Sequence, residues 1–288
     1  PVCVQTITAK RQQELAMMLA CHDYHVHMAT FTIRHDRSMT LKETLNRLRD
    51  AYRSLTNSRL YKERFKEEFA VVGTIKALEI TRTTRNGWHP HFHLLLLLEK
   101  EAQETAIKNF LVDDWLKCLH KHGGSGDRAH ALDVTASSKR ISEYIAKYGR
   151  LPRDAQWSVE SEMTRGIAKK QAKKGLSPLQ MLMEIGNPTS SDEHRAFLRA
   201  KWTEYANTMI KGRYNQLNWS RGLKELLSID ELSDEEVIDQ ETCEMSFLAG
   251  LLPDEWIKVW KAGKRGELLD IAKTGDVDKV FELIAELR

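Results

Sequence analysis

Hydrophobic and polar residues alternate in four stretches of the first half of the chain and repeat at helical spacing between them. Alternation with β-branched and aromatic residues predicts strands, whereas apolar residues three and four positions apart predict amphipathic helices. Thr40 followed by Glu43 is a capping signal that marks the start of one helix. The predicted strands are 25–35, 71–83, 88–99 and 128–135, and the predicted helices are 8–20, 41–55, 58–70, 101–120 and 137–148.

The second half of the chain is predicted to be mostly helical. A helix is expected over 192–211, another begins near 219–227, and three short helical patterns fill 231–287. Because the strands come first and the helices last, the pattern predicts an α+β fold. We expect a central antiparallel sheet flanked by helices, with a helical C-terminal extension.

Three histidines enter the leucine-rich strand at alternate positions, in WHPHFHLLLLLE (88–99). Residues two apart in a strand share a face, so His91 and His93 are predicted to point the same way, close enough to bind one ion. Phe92 and the alternate leucines after it would form core on the opposite face. His89 falls on the same face as His91 and His93, and is expected either to bind the ion itself or to contact the residues that bind it.

Glu79 is the carboxylate of the preceding strand, 71–83, and the turn signal at 85–87 predicts a hairpin that pairs this strand with the histidine strand. A buried carboxylate within a strand is costly unless it is paired or coordinated. Two imidazoles and one carboxylate with open positions suit a divalent ion, Mg²⁺ or Mn²⁺, that polarises a substrate oxygen. Glu79, His91 and His93 are therefore predicted metal ligands.

Tyr144 and Tyr148 lie four residues apart in SEYIAKYGR (142–150), one above the other on a predicted helix. A phenol with a pKa of about 10 is a poor nucleophile at pH 7 unless its target is polarised. A divalent ion at a scissile phosphate would supply that polarisation. The alternative is that the tyrosines simply pack, beside isoleucines, against the core. Lys147 is expected either to contact the phosphate or to face solvent.

Charge is distributed unevenly along the chain, although the net charge is only +3. Residues 226–288 hold 16 acidic and 7 basic side chains, which leaves 37 basic against 25 acidic side chains in residues 1–225. A basic body indicates an anionic partner such as nucleic acid, and an acidic tail indicates a solubilising, regulatory or protein-binding segment. Solvated surfaces alone would also account for both.

Several classes of protein are disfavoured by the sequence. The four cysteines are scattered without CxxC spacing, so neither a zinc knuckle nor a disulfide framework is expected. No uninterrupted apolar stretch is long enough to span a membrane and no signal peptide is recognisable, which predicts a cytoplasmic protein without a membrane partner. The chain has no GxxxxGK[ST] loop, so no ATPase activity is expected.

Three motifs in order resemble those of the HUH endonucleases. HPHFHLLLL (89–97) is similar to the histidine motif, YIAKY (144–148) to the tyrosine motif of rolling-circle replication initiators, and MATFTIRH (28–35) to the first strand of that family. Segments within 163–224 also look like bacterial plasmid Rep proteins. The resemblance covers residues 25–225 and implies a replication initiator of the two-tyrosine type.

The resemblance implies a metal-dependent, site-specific nickase and strand transferase. A tyrosine would attack a phosphodiester in origin DNA, become linked to the 5′ phosphate and release a 3′ hydroxyl for a polymerase. The metal ligands would be His91, His93 and Glu79. Because Tyr144 stands where single-tyrosine members carry a glutamate, the resemblance implies the two-tyrosine scheme, with Tyr148 as the first nucleophile and Tyr144 as the second.

The implied partner is single-stranded or hairpin origin DNA, in the bacterial cytoplasm, with a host helicase and DNA polymerase as further partners. Basic residues are expected to line a groove for the DNA backbone. These are Arg34, Arg82, Arg85, Lys139 and Arg140. The domains are expected to be a nuclease domain over 1–188, its helical extension over 189–225 and an acidic helical region over 226–288.

Two other functions remain open at this point. A two-tyrosine transposase would use the same chemistry, whereas conjugative relaxases usually place the tyrosine before the histidines. A non-catalytic DNA-binding protein would bind DNA without metal and without Tyr148.

Overall fold

The protein was examined as a computed structural model, which describes the backbone of residues 11, 14–15, 23–137, 175–187, 189–212, 214–229, 236, 250–272 and 274–287. The chain divides into two compact units, Pro1–Glu231 and Leu232–Arg288. The predicted boundaries at residues 188 and 225 stay predictions. No helix in the described part of the chain is long and apolar enough to cross a membrane.

The first unit combines one sheet with helices packed on it. Its elements are β1 (His25–Thr32), α1 (Leu41–Asn57), a π-helix (Leu60–Phe65) continued by α2 (Lys66–Glu68), β2 (Val71–Thr83), β3 (Gly87–Leu98), α3 (Glu104–Lys121), β4 (Leu132–Ser137), α4 (Pro178–Ile185), α5 (Asp192–Gly212), β5 (Leu217–Trp219) and α6 (Leu223–Leu226).

The sheet has five strands in the order β4-β1-β3-β2-β5, and each neighbouring pair is antiparallel. The histidine strand β3 is therefore the central strand, with β1 on one side and β2 on the other. This arrangement confirms the predicted α+β fold with a central antiparallel sheet. The hairpin between β2 and β3 is also confirmed, with Thr83 paired to Gly87.

Both faces of the sheet are buried, each by a separate hydrophobic cluster. Phe92, Leu94, Leu96 and Leu98 belong to the larger cluster, which α1, α3 and α5 cover. The intervening leucines, Leu95 and Leu97, belong to a smaller cluster on the other face. Since side chains alternate along a strand, the face with Leu95 and Leu97 is also the face of His91 and His93.

Helix α1 begins where the sequence predicts. The Oγ1 of Thr40 accepts a hydrogen bond from the backbone N–H of Glu43, 3.2 Å away. Glu204 of α5 then joins three elements through its Oε1, which accepts hydrogen bonds from the Leu41 N–H (2.9 Å) and from Trp88 Nε1 (3.0 Å). This carboxylate holds the start of α1, the start of β3 and α5 together.

The turn before β3 requires a glycine. Gly87 has a φ of 77°, a left-handed conformation, and a Cβ placed there would lie 2.7 Å from the Cα of Arg37. Only a residue without a side chain fits this backbone and this close approach. The glycine thus lets the loop after β1 lie against the entrance to the histidine strand.

Three elements are not predicted by the sequence patterns: β5, the π-helix and helix α4. The three-residue strand β5 is short and half-buried at the sheet edge, so it has too few residues for alternation to show. The π-helix Leu60–Phe65 has the spacing of an ordinary helix in the sequence. Ser137, the first residue of the predicted helix 137–148, is the last residue of β4, and the rest of that helix lies outside the described residues. Only residues 11, 14 and 15 of the predicted helix 8–20 are described.

The second unit contains three described helices, as the sequence patterns predict. They are α7 (Pro253–Lys261), α8 (Arg265–Ala272) and α9 (Val277–Glu286). Val259, Leu268 and Val280 form the centre of a small cluster of their own. Trp256 and Trp260 are exposed on α7. The role of the acidic region stays a prediction.

Candidate metal centre

Three side chains that carry metal-binding atoms converge on the two innermost strands of the sheet. Glu79 of β2 pairs directly with His91 of β3, and His93 lies two residues further along the same face. All three side chains are buried, with exposed fractions of 1% for Glu79, 8% for His91 and 4% for His93. The structure thus brings together the residues predicted as metal ligands.

The three atoms form a nearly equilateral triangle. Glu79 Oε2 lies 3.1 Å from His91 Nε2 and 3.0 Å from His93 Nε2, and the two nitrogens are 3.0 Å apart. Ligand atoms at right angles to one another and about 2.1 Å from an ion are separated by about 3.0 Å. The triangle therefore has the dimensions of one face of an octahedral coordination sphere.

The chemistry of these donors also fits a divalent cation. Two neutral imidazoles and one carboxylate carry a single negative charge, and each offers a lone pair toward the same point. The alternative is that both imidazoles carry a proton on Nε2 and donate it to the same oxygen of Glu79. The two N–H groups would then be crowded together, because the two nitrogens are only 3.0 Å apart. Among the described residues, Glu79, His91 and His93 are the one group of three or more such side chains that could hold a metal ion.

Thr30 of β1 supports one of the two imidazoles. Its Oγ1 lies 3.1 Å from Nδ1 of His93, and the two residues pair across the β1–β3 ladder. A proton on Nδ1 that is donated to Thr30 leaves Nε2 of His93 with its lone pair. The Nδ1 of His91, by contrast, is buried and has no hydrogen-bond partner in the described part of the chain.

His89 lies beside the three predicted ligands but outside their triangle. Its ring centre is 5.0 Å from that of His91, and its ring stacks on His35 at 4.5 Å. Burial, together with the neighbouring His91 and His35, lowers the pKa of His89 to about 3, so this imidazole is neutral at physiological pH. The structure thus places His89 beside the three predicted ligands and not among them.

The other predicted site residues fall into two groups. Tyr144, Lys147, Tyr148, Lys139 and Arg140 lie outside the described residues. Arg34 and Arg85 are exposed in the loops that follow β1 and β2, whereas Arg82 is not brought to the metal centre. Its guanidinium lies over the rings of Phe197 (4.7 Å) and Trp88 (5.8 Å), which are on the opposite face of the sheet.

Thr30 and His35 are the residues near the site that sequence reasoning missed. Thr30 and Thr32 do give a signal, since they are polar residues at alternate positions that flank the apolar Phe31. That signal identifies a polar face of β1 but not the strand with which β1 pairs. His35 gives no periodic signal because it lies in the loop after β1.

Fold and site together define a class of protein. It is an α+β protein whose central antiparallel strands carry a buried group of two histidines and one carboxylate with the donor set of a divalent metal centre. The family model described as "Replication protein" matches residues 1–242, and the chain belongs to this family of replication proteins. The family resemblance predicted from the motifs is thereby confirmed.

A curated relative agrees with this family. "Protein rep" from Streptomyces lividans is 24% identical over 294 aligned positions, which cover 80% of this chain and 62% of that protein. The chain therefore corresponds to less than two thirds of the length of this relative. No solved structure matches the chain.

Proposed function

We propose that the protein initiates plasmid replication by the rolling-circle route, as a nickase that uses tyrosine as its nucleophile and a divalent metal ion as its cofactor. The observation that carries the proposal is the buried triangle of Glu79, His91 and His93 in a member of a replication protein family. Family membership implies origin DNA as the partner, and the triangle supplies a place for the ion that this chemistry needs.

Glu79, His91 and His93 would occupy three of the coordination positions of a bound Mg²⁺ or Mn²⁺. When bound, such an ion polarises an oxygen of the scissile phosphate and leaves positions open for that oxygen and for water. The residues themselves fix the location of the phosphate. They project from the two central strands, so their spacing is set by the hydrogen-bonded ladder rather than by a flexible loop.

Tyr148 is the proposed first nucleophile. Its phenolate oxygen attacks the phosphorus, the bond from phosphorus to the 3′ oxygen breaks, and that oxygen takes up a proton to become the free 3′ hydroxyl. The product is a 5′-phosphotyrosine ester. Tyr144 is proposed to attack in the second round, which rejoins the ends. Lys147 is proposed to contact the phosphate.

The chain is long enough to bring these tyrosines to the metal centre. Strand β4 ends at Ser137, which pairs with Val26, four residues along β1 from Thr30. Four residues of strand correspond to about 13 Å. Tyr148 follows Ser137 by eleven residues, which span about 16 Å even when fully helical. The eleven residues from Ser137 to Tyr148 are therefore long enough to span the distance to the level of Thr30 and His93.

Backbone contacts to single-stranded or hairpin origin DNA are proposed for Arg34, Arg85, Lys139 and Arg140. Arg82 is a weaker candidate since it lies against Trp88 and Phe197 on the other face. A host helicase and polymerase remain proposed partners, in the bacterial cytoplasm. The family match favours replication over transposition.

A covalent-adduct assay tests the proposal. The protein is incubated with Mn²⁺ and single-stranded DNA from its own replicon, and the products are separated on a denaturing gel. We expect a protein–DNA adduct that requires metal, disappears in Glu79→Gln and is lost in the Tyr144→Phe, Tyr148→Phe double variant. The single variants then assign the first nucleophile.

Tyr61→Phe is a matched control, because Tyr61 is a buried tyrosine on the opposite face of the sheet. It should form the adduct like the unmodified protein. If the double variant still forms an adduct, the tyrosines are not the nucleophiles. If no adduct forms while DNA binding persists without metal, the protein is a non-catalytic DNA-binding protein.

A further inference from the structure

A cavity of about 420 Å³ lies between α1 and α5 and is lined mainly by cationic and amide side chains. Helix α1 contributes Lys42, Asn46 and Arg49, α5 contributes Asn207 and Lys211, and Tyr214 closes one end. We call it the α1–α5 cleft. None of the described residues that line it is acidic, and of its three cations Arg49 is paired with Asp50, which is not part of the lining.

Helical spacing arranges these side chains in two facing rows. Lys42, Asn46 and Arg49 are separated by four and three residues and so lie on one side of α1. Asn207 and Lys211 are four residues apart and form the corresponding row on α5. Seven residues of helix rise about 10 Å, so the cations are spread along the cleft instead of surrounding a single point.

Arg49 is held in position inside the cleft. Its Nε donates a hydrogen bond to Asp50 (3.0 Å), and its guanidinium lies 5.4 Å from the centre of the Tyr214 ring. The Tyr214 hydroxyl donates in turn to Oδ1 of Asn46, so the amide nitrogen at the other end of that group remains a donor. A guanidinium fixed in this way loses little side-chain freedom when it binds an anion.

The cleft is on the opposite side of the sheet from the metal centre. The apolar faces of α1 and α5 bury Leu48 and Tyr205 in the cluster that contains Phe92 and Leu94. Glu79, His91 and His93 point to the other face of the same strands. Anything bound in the cleft is therefore separated from the metal centre by the sheet itself.

We propose that the α1–α5 cleft binds successive phosphates of the DNA backbone, as a second DNA contact that takes no part in cleavage. An extended row of cations and amide donors suits a chain of phosphates better than a single free phosphate. The one aromatic ring in the lining, that of Tyr214, is covered by Arg49, which disfavours stacking of a base. The contact would therefore be independent of DNA sequence.

The test is the salt dependence of DNA binding, measured on the full chain by fluorescence anisotropy with a 20-base-pair duplex of arbitrary sequence. EDTA is present throughout, so the outcome does not depend on cleavage. Each cation that contacts a phosphate contributes about 0.9 to the slope of log affinity against log salt. Lys42→Gln, Arg49→Gln and Lys211→Gln should each lower the slope by about that amount, and the triple variant should lower it by about 2.7.

Lys117→Gln is the control, because Lys117 is an exposed lysine on α3 that is not among the residues lining the cleft. Its slope should match that of the unmodified protein, and Lys42→Arg with Lys211→Arg should retain the full slope. An unchanged slope in a folded triple variant would overturn the proposal. So would calorimetry in which the triple variant loses binding of inorganic phosphate or ADP without any change in the DNA slope, since the cleft would then serve a free phosphate ligand.

Discussion

Thr30 and His93 face each other across the neighbouring strands β1 and β3, with Thr30 Oγ1 3.1 Å from Nδ1 of His93. The hydroxyl lies on the side of the imidazole away from Glu79, whose Oε2 is 3.0 Å from Nε2. One histidine ring thus has an oxygen atom close to each of its nitrogens. This arrangement is typical of metal-binding histidines, whose second nitrogen donates to a neighbouring oxygen.

Replacement of Thr30 by valine should weaken metal binding while the fold is kept. Valine has nearly the shape of threonine and suits a strand, but it cannot accept the proton of His93 Nδ1. We expect the affinity for Mn²⁺, measured by calorimetric titration, to fall about 10-fold to 100-fold. Thr32→Val is the control, because the Thr32 hydroxyl donates to the carbonyl of His130 instead. Equal losses in both variants would rule out a specific role for Thr30.

Glu79→Gln should abolish the stabilisation of the protein by metal. An ion that binds only the folded state at 100 times its dissociation constant adds about 2.7 kcal/mol to the free energy of unfolding. Glutamine keeps the size of the side chain but removes the charge that the ion needs. Thermal unfolding with and without Mn²⁺ should show a rise in Tm for the unmodified protein and none for the variant.

Glu204→Gln provides the comparison for that experiment. Glu204 is also a partly buried carboxylate, but it accepts hydrogen bonds from Trp88 and Leu41 on the other face of the sheet. Its substitution should lower Tm in both conditions and leave the metal-dependent rise intact. A metal-dependent rise that survives in Glu79→Gln would show that the ion binds elsewhere.

Lys76→Met should remove a pH-dependent part of the stability. The Nζ of Lys76 lies 4.6 Å from the centre of the Phe92 ring and 5.0 Å from that of Tyr52, and burial lowers the pKa of this lysine, with a smaller effect from Arg53. Between the lowered pKa and the ordinary value of 10.5, the unfolded chain binds more protons than the folded one. The stability of the unmodified protein therefore rises with pH across that window.

The Lys76→Met variant should lack this rise. At a pH below the window, we expect it to be more stable than the unmodified protein by about 1 kcal/mol, because a buried charge is replaced by an apolar side chain. The advantage should shrink as pH approaches 10, as measured by urea unfolding at several pH values. Lys117→Met should show no such trend, since the hydrogen bond to Asp114 raises the pKa of that exposed lysine.

Gly87→Ala should destabilise the protein more than Gly222→Ala. Both glycines have left-handed φ values, 77° and 74°, so both substitutions incur the conformational cost of about 1–2 kcal/mol. Only at Gly87 would the new Cβ also meet backbone, 2.7 Å from the Cα of Arg37 and 2.9 Å from the carbonyl oxygen of Asp36. Chemical denaturation should give a clearly larger loss for Gly87→Ala, and equal losses would contradict the close approach.

The sequence predicts much of the site because its main signals are local. Alternation along β3 places His91 and His93 on one face, and the turn at Gly87 fixes which residue of β2 lies opposite. The same reasoning applied to Arg82 shows why the structure places it elsewhere. Arg82 is three residues from Glu79, an odd number, and so belongs to the other face of β2.

Contacts between strands that are distant in sequence could not be predicted in this way. Thr30 and His93 are separated by 63 residues, and no turn signal specifies that β1 pairs with β3. The pairing of β5 with β2 is likewise a contact between segments that are distant in sequence. Packing of the helices on the two faces selects these pairings, and this selection depends on the whole hydrophobic pattern.

The burial of both faces of β3 has a consequence for how this strand finds its place. A shift of one residue against β1 and β2 would move two imidazoles into the cluster around Phe92 and turn leucines toward the carboxylate of Glu79. Such a misaligned strand would bury polar groups without partners on one face and separate the three proposed metal ligands on the other. The polar positions of β3 therefore disfavour a misaligned sheet, through the same side chains that are proposed to bind the ion.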